Sequence, residues 1–148
     1  MRSTAIEPLH LDNKKVKRMI ADLKDKAVLV TGGSTGIGAA AAKAFAANGA
    51  QVMVHYNASK SEAEAVCAAI IAEGGEAALC HGDVTDKTVP ARIVSETVQR
   101  FGRLDILINN AGGMLGRKML PDITDEHYDR VLDLNIRSVI KFMQAAAD

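Results

Sequence analysis

Residues 27–38 read AVLVTGGSTGIG, and this segment determines the predicted fold. Its first four residues form a short apolar run typical of a strand, and an Ala-rich segment without proline follows from Ile37. The glycines therefore lie between a strand and a helix, which is where a phosphate-binding glycine turn is found. Gly32 allows a sharp turn, Gly36 allows the backbone to approach a pyrophosphate, and Gly38 allows the helix to pack closely on the strand. No Lys-Ser/Thr pair follows, so the segment is not a P-loop.

The rest of the chain repeats this alternation of strand and helix. Strands are predicted at residues 27–30, 51–56, 76–81 and 104–108, and helices at residues 37–48, 59–73, 86–101 and 124–147. Strands that are apolar along their whole length are buried on both faces. The sequence therefore predicts an α/β fold, with a Rossmann-type parallel sheet covered by helices on both faces and joined by right-handed crossovers. The predicted elements end with the fourth strand and the long helix that follows it.

The composition excludes several classes of protein. The chain has 148 residues, 18 basic and 18 acidic side chains, and a formal net charge of +0. This balance gives no attraction to a nucleic-acid backbone or an anionic membrane, so neither is expected as a partner. No apolar run reaches the roughly 18 residues that a transmembrane helix needs. The 2 cysteines form no CxxC pair and the 4 histidines have no metal-ligand spacing, so no metal site is predicted.

The chain is expected to begin with an N-terminal extension, residues 1–24, followed by the Rossmann portion, residues 25–148. The extension contains a basic cluster formed by Lys14, Lys15, Lys17 and Arg18. We interpret this cluster as a solvated arm or a short surface helix, with nucleic-acid or membrane binding as the alternative. The extension lacks the apolar core of a secretory signal, and with unpaired cysteines this favours a cytoplasmic location.

Three further motifs accompany the glycine turn. Asp83-Val84 follows the third strand, Asn109-Asn110-Ala111-Gly112 follows the fourth, and Asn135 lies in the last helix. Together with T-G-x-x-x-G-x-G at residues 31–38, this set resembles the short-chain dehydrogenase/reductase family from about Leu23 to the C-terminus. The resemblance implies an oxidoreductase that transfers a hydride between a nicotinamide cofactor and a carbonyl or alcohol substrate. A non-catalytic NAD(P)-binding or subunit-interaction protein is the alternative. Use of another nucleotide, such as a methyl donor, is disfavoured by the Asn-Asn-Ala-Gly segment.

The resemblance also implies roles for individual residues. Asp83 would accept a hydrogen bond from the adenine amino group, Asn110 would stabilise the sheet, and Asn135 would hold a water of the catalytic proton relay. From the residues alone, Asp83 could instead cap the helix that follows it, and Asn135 could bond within its own helix. The implied cofactor site comprises Gly32, Ser34, Thr35, Gly36, Ile37 and Gly38 of the glycine turn, then Asp83 and Val84, and then Asn109, Ala111 and Gly112.

The end of the second strand bears on which nicotinamide cofactor is used. An NAD-selective site usually carries Asp or Glu there, about 20 residues past the glycines, to bind the ribose 2′-OH. Residues 55–58 read HYNA, and no carboxylate follows before Glu62. Lys60 and Ser59 instead suit a 2′-phosphate, although Thr35 stands where many NADP-using relatives carry a basic residue. NADP(H) is therefore favoured, with NAD(H) or dual use open. We therefore add the residues at the end of the second strand to the candidate cofactor site, namely Tyr56, Asn57, Ser59 and Lys60.

The family's acid–base residues, a serine and a Tyr-x-x-x-Lys pair, would come after a fifth strand, beyond Asp148. Tyr56 and Lys60 have the Tyr-x-x-x-Lys spacing, but they lie at the end of the second strand, where the resemblance places the adenosine ribose. Tyr128 has Leu132 four residues later. We therefore expect the front portion of an enzyme of roughly 250 residues, inactive by itself. The full-length form would act on a small carbonyl or alcohol and assemble as a homodimer or tetramer.

Overall fold

The computed structural model of the protein describes residues 20–147. The basic cluster between residues 14 and 18, and most of the predicted extension at residues 1–24, lie outside the described residues. Ala21–Leu23 forms a short 3-10 helix ahead of the first strand. The boundary expected near residue 24 therefore stays a prediction.

A four-stranded parallel sheet forms the centre of the fold, as predicted. Its strands lie in the order β3-β2-β1-β4 and are β1 (Ala27–Val30), β2 (Gln51–Tyr56), β3 (Glu76–His81) and β4 (Ile106–Ile108). Leu29 of β1 lies opposite Met53 on one side and Leu107 on the other. All residues of β1 are buried, because β1 has a neighbouring strand on each side and helices on both faces. The strand order reverses at β1, which opens a crevice at the carboxyl ends of β1 and β4.

Helices cover both faces of this sheet. They are α1 (Gly36–Ala47), α2 (Lys60–Ala72), α3 (Val89–Phe101), α4 (Asp125–Leu132) and α5 (Ser138–Ala147). α1 and α2 pack on one face, where Ala42 and Ile70 contact the inward-facing valines of β1 and β2. α3 and α5 pack on the other face around Leu29, Met53 and Phe142. Because side chains alternate along a strand, β1 and β2 contribute to two separate cores. The predicted Rossmann-type arrangement is confirmed.

The single helix predicted over residues 124–147 is interrupted by a π-helical turn. α4 is followed by Asp133–Arg137, and the backbone N–H of Ser138 donates to the carbonyl of Asp133, five residues earlier. Thr124 caps α4, because its hydroxyl accepts a hydrogen bond from the backbone N–H of His127 at 3.2 Å. A π turn inserts a residue into an otherwise regular helix, and hydrophobic periodicity over so long a segment does not reveal it.

Two predicted elements begin later in the structure than the sequence indicated. α3 begins at Val89 because Asp86 Oδ1 accepts hydrogen bonds from the backbone N–H and the hydroxyl of Thr88, both at 2.8 Å. β4 begins at Ile106, just after Asp105, whose carboxylate accepts from the backbone N–H of Ala27 at 2.9 Å. In both places a short polar side chain bonds to the backbone ahead of the regular element.

No helix within residues 20–147 is both long enough and apolar enough to cross a membrane. Within the same residues, no group of three or more His, Cys, Asp or Glu side chains is arranged to hold a metal ion. Cys67 and Cys80 are free thiols, and both are buried.

Candidate functional site

The turn between β1 and α1 depends on glycine at each of three positions. Gly32 has a φ of +62°, and a Cβ there would lie 3.0 Å from the Cα of Ala111. A Cβ on Gly38 would overlap the carbonyl oxygen of Gly32, so only glycine lets α1 begin this close to the strand. Gly36 has a φ of +54°, and nothing lies within 4 Å of the position of its Cβ. The first residue of α1 therefore presents bare backbone to open space.

This open space is a cleft of about 430 Å³ at the carboxyl ends of the strands. Its walls are the glycine turn, the end of β2, the residues after β3 and the residues after β4. The lining residues are Gly32, Ser34, Thr35, Gly36, Ile37, His55, Asn57, Ser59, Asp83, Val84, Asn110, Ala111, Gly112 and Leu134. Because the N-terminus of α1 borders this cleft, its free N–H groups and positive dipole end favour an anionic group there.

The cleft brings together most of the candidate residues from segments that are far apart in sequence. Of the 15 candidate cofactor residues, 11 line the cleft. The remaining four are Gly38, Tyr56, Lys60 and Asn109. Gly38 is buried under the turn, and Asn109 is half-buried next to β4. The ring of Tyr56 packs on His81 with centroids 5.2 Å apart, and Lys60 Nζ lies 3.7 Å from Glu64 Oε1 at the surface.

Thr31 and Asn110 connect the ends of β1 and β4. The buried hydroxyl of Thr31 accepts hydrogen bonds from the backbone N–H groups of Asn110 at 2.9 Å and Ala111 at 3.0 Å. It donates to the carbonyl of Ile108 at 3.1 Å. The Asn110 side chain donates back through Nδ2 to the carbonyls of Thr31 at 3.0 Å and Gly32 at 2.9 Å. These five bonds hold the Asn-Ala-Gly segment against the glycine turn, so Asn110 has the contacts of a residue that stabilises the sheet.

Asp83 lies exposed on the wall of the cleft. Its Oδ1 accepts hydrogen bonds from the backbone N–H of Thr85 at 2.9 Å and from the Thr85 hydroxyl at 2.8 Å, which closes a turn after β3. The residue at the N-cap of α3 is Thr88. The alternative interpretation of Asp83 as the cap of α3 is therefore wrong, because the helix begins later in the chain.

Asn135 lies in the π turn, behind the cleft wall and not among the lining residues. Its Nδ2 donates to the carbonyls of Val131 and Gly113, both at 2.8 Å, and its Oδ1 accepts from the backbone N–H of Gly113 at 3.0 Å. The side chain thus bonds within its own helix and also holds the segment that carries Gly112. π turns are frequent at functional sites, so this irregularity marks the same region that the motif indicated.

Sequence reasoning did not place His55, Asn110 or Leu134 among the lining residues, although it gave Asn110 a role in stabilising the sheet. His55 is 1% exposed, and its imidazole bonds to the glycine turn. Burial lowers the pKa of His55 below its ordinary value, so the ring is neutral near pH 7. A polar residue at the carboxyl end of an otherwise apolar strand was a usable indication of His55. No sequence pattern marked Leu134, which reaches the cleft from the π turn.

Comparison with known proteins identifies the family. The family model described as short chain dehydrogenase matches residues 26–148. An uncharacterized oxidoreductase of Methylorubrum extorquens is 44% identical over 128 residues, which cover 86% of this chain and 51% of that protein. A 3-oxoacyl-[acyl-carrier-protein] reductase of Synechocystis sp. is 38% identical over 125 residues, 84% of this chain and 50% of that protein. The chain thus spans about half the length of these curated relatives.

Solved structures with the same fold have been described with either nicotinamide cofactor. A short chain dehydrogenase from Burkholderia cenocepacia in complex with NADP is 45% identical, with a TM-score of 0.81 over 84% of this chain and 51% of that one. An NADH-dependent reductase, A1-R′, complexed with NAD is 40% identical, with a TM-score of 0.79 over 85% of this chain and 52% of that one.

Proposed function

The chain belongs to the short-chain dehydrogenase family, and we propose that it forms the cofactor-binding part of an oxidoreductase that uses NADP(H). A nicotinamide cofactor donates a hydride to a carbonyl carbon or accepts one from an alcohol carbon. The main support for this proposal is the glycine turn. The backbone of Gly36 is open to the cleft at the first residue of α1, where a pyrophosphate is stabilised by free N–H groups.

The other lining residues suit the remaining parts of a dinucleotide. Ile37 is 82% exposed although it is a large apolar side chain, so a ligand in the cleft would cover it. We assign the carboxylate of Asp83 to the adenine amino group and the Val84 backbone to the adenine edge. We assign Asn109 and Ala111 to the adenosine ribose, and Gly112 stays among the cofactor-binding residues. Asn135 is assigned to the water of the proton relay, and its bonds to Gly113 support a role in fixing that segment.

The end of β2 supports the preference for NADP(H). Asn57 and Ser59 line the cleft there, and of the described residues that line it, Asp83 alone carries a carboxylate. A 2′-phosphate near Asn57 would therefore meet no carboxylate from β2. Lys60 is 68% exposed, and its pairing with Glu64 at 3.7 Å is a surface ion pair. Because such a pair contributes little, Lys60 is free to turn toward a phosphate. NAD(H) is the second candidate, since a similar protein has been solved with NAD.

Titration with NADPH and NADH, followed by nicotinamide fluorescence, tests both the function and the preference. We expect NADPH to bind more tightly. Substituting Lys60→Ala should weaken NADPH binding about tenfold, because a charge-assisted hydrogen bond to the 2′-phosphate is lost, and should leave NADH binding unchanged. Lys43→Ala on α1 is the matched control, since it removes the same charge from an exposed helix position that does not line the cleft. Tighter binding of NADH by the unsubstituted chain would contradict the preference, and equal losses from both substitutions would contradict the role of Lys60.

We further propose a small carbonyl or alcohol substrate, a homodimeric or tetrameric assembly, and a cytoplasmic location. Assembly is supported by exposed apolar side chains along α4, the π turn and α5, which are Tyr128, Ile136, Ile140 and Met143. The free thiols of Cys67 and Cys80 are consistent with a reducing compartment. Tyr56 packs on His81 and Lys60 is assigned to the 2′-phosphate, so this pair is not placed for catalysis, and we expect the 148-residue chain to bind the cofactor without turnover.

A further inference from the structure

His55 lies under the cleft, at the carboxyl end of β2. Its side chain is 1% exposed, and it faces the core that α3 and α5 cover, where its ring lies 6.4 Å from the ring of Phe142 in an edge-on arrangement. It also lines the cleft itself. A buried imidazole in this position is fixed by packing on one side and is adjacent to the glycine turn on the other.

Two hydrogen bonds determine the tautomer of this imidazole. The backbone N–H of Gly32 donates to Nδ1 at 3.1 Å, so Nδ1 carries a lone pair and no proton. Nε2 lies 2.9 Å from the carbonyl oxygen of Gly82, which only accepts, so Nε2 carries the proton. The ring is therefore neutral and protonated at Nε2. The backbone of His55 adds a third bond, because its carbonyl accepts from the N–H of Gly33 at 2.8 Å.

These bonds join two walls of the cleft through one side chain. Gly32 is the first glycine of the turn that follows β1, and Gly82 directly precedes Asp83 at the end of β3. Both are held by the ring, so the distance between the glycine turn and the Asp83 wall depends on it. Neither bond needs a ligand to form, which means that this part of the cleft is arranged before a cofactor enters.

We propose that His55 is a positioning residue for the cofactor, whose neutral imidazole holds the N–H of Gly32 and the carbonyl of Gly82 so that the pyrophosphate and adenine sites keep their spacing. The inference rests on the proposed function of the cleft. It assigns His55 no contact with the reacting atoms. The bond from the Gly32 N–H to Nδ1 holds the glycine turn in place. The bond from Nε2 to the Gly82 carbonyl orients the ring and ties it to the residues before Asp83.

Protonation of the ring would break the Gly32 bond, because a proton on Nδ1 would oppose the N–H of Gly32. Burial lowers the pKa of His55, the carbonyl of Gly82 partly offsets this, and nearby His81 and Arg92 lower it while Asp83 raises it. The unfolded chain has the ordinary value of about 6.5 and binds the proton first as the pH falls. The free energy of unfolding therefore declines below about pH 6.5, down to the folded-state pKa, and His55 contributes no pH dependence above that window.

Two substitutions separate the bonds of the ring. The amide oxygen of Asn can replace Nδ1 as the acceptor for Gly32, whereas the amide of Gln can replace Nε2 as the donor to Gly82. In titrations of the full chain with NADP+ at pH 8, we expect His55→Asn, which keeps the bond to Gly32 and loses the bond to Gly82, to bind about threefold more weakly than the unsubstituted chain. His55→Gln should bind about tenfold more weakly, because it loses the hydrogen bond to the glycine turn. Equal affinities of the two variants, or the reverse order, would overturn the proposal.

Hydrogen exchange of the Gly32 amide, measured without cofactor, tests the same bond independently. We expect His55→Gln to speed this exchange and His55→Asn to leave it slow, since the amide exchanges only when its bond opens. An amide rate that is the same in all three proteins would overturn the proposal. If the unsubstituted chain binds no NADP+, the proposed function fails, and the exchange rates alone then decide whether His55 holds the turn.

The pH dependence of stability completes the test and does not require that the Gln variant folds. As the pH falls from 8 to 5.5, the free energy of unfolding of the unsubstituted chain should decline relative to that of His55→Asn, because the unfolded chain binds a proton at His55 that the buried ring resists. The Asn variant keeps every other titratable group of the chain, so it serves as the control. A difference between the two proteins that does not change over this range would contradict a buried neutral ring at His55.

Discussion

Substituting Gly38→Ala is expected to lower the free energy of unfolding by about 3 kcal/mol, because a methyl group there overlaps backbone. The new Cβ would overlap the carbonyl oxygen of Gly32 and lie 2.5 Å from Nδ2 of Asn110. Relief of the overlap requires α1 to move away from the turn or Asn110 to give up its bonds. Alanine is intrinsically about 1 kcal/mol better than glycine in a helix. A loss at this helical position therefore reports the close approach and not helix propensity.

Gly36→Ala is the matched control for this prediction. It makes the same change two residues earlier, where nothing lies within 4 Å of the new Cβ and the φ of +54° is the only source of strain. We expect a loss of about 1 kcal/mol from the left-handed backbone. Urea unfolding of both variants measures the difference. If Gly38→Ala is as stable as Gly36→Ala, the turn is not packed as tightly as described, and the role assigned to Gly38 is wrong.

Substituting Thr31→Val should lower the free energy of unfolding by about 3 kcal/mol, although the two side chains have nearly the same shape. Thr31 is 1% exposed, and its hydroxyl is the acceptor for the N–H groups of Asn110 and Ala111. Valine has no hydroxyl, so the partly buried N–H groups of Asn110 and Ala111 lose their acceptor. Each unsatisfied donor costs about 1–3 kcal/mol. Because the Asn110 segment forms one wall of the cleft, NADPH binding should weaken in the same variant.

Thr31→Ser provides the comparison, since it keeps the hydroxyl and removes only a methyl group. Its expected loss is about 1 kcal/mol. Urea unfolding and NADPH titration of the two variants measure both effects. A serine variant that is destabilised as much as the valine variant would show that the methyl packing of Thr31, and not its hydroxyl, holds β1 to β4.

The sequence predicted the sheet, its helices and most of the cleft, because glycine positions report backbone conformation directly. Gly32 and Gly36 both have positive φ, and Gly38 has no room for a side chain. The motif T-G-x-x-x-G-x-G therefore predicts the backbone conformation of the turn. The long helix was predicted without its π turn, because Asp133–Arg137 has no glycine or proline to mark it. Asn135, in the middle of this turn, bonds to Gly113, and a contact over 22 residues is not visible in a local pattern.

The contacts of long side chains were less predictable than the backbone. Lys60 was expected at the cofactor, yet its ammonium lies next to Glu64, one helical turn away. Tyr56 packs on His81 because the parallel register of β2 and β3 places the two residues side by side, and pairing register is not readable from one strand. His55 belongs to residues 55–58, the segment that bears on cofactor choice. Its bond to Gly32 could not be predicted, because it depends on how the glycine turn folds over β2.

The cleft at the glycine turn is proposed to bind a nicotinamide dinucleotide. Hydrogen exchange of the chain with and without saturating NADP+ tests it most directly, because exchange reports protection at each backbone amide. We predict slower exchange at the start of α1, around residues 36–39, and at Val84 and Gly112, with no change at Gly49 and Asp105 at the opposite end of the sheet. If NADP+ leaves exchange at the glycine turn unchanged, or protects only another surface, the cleft is not the dinucleotide site.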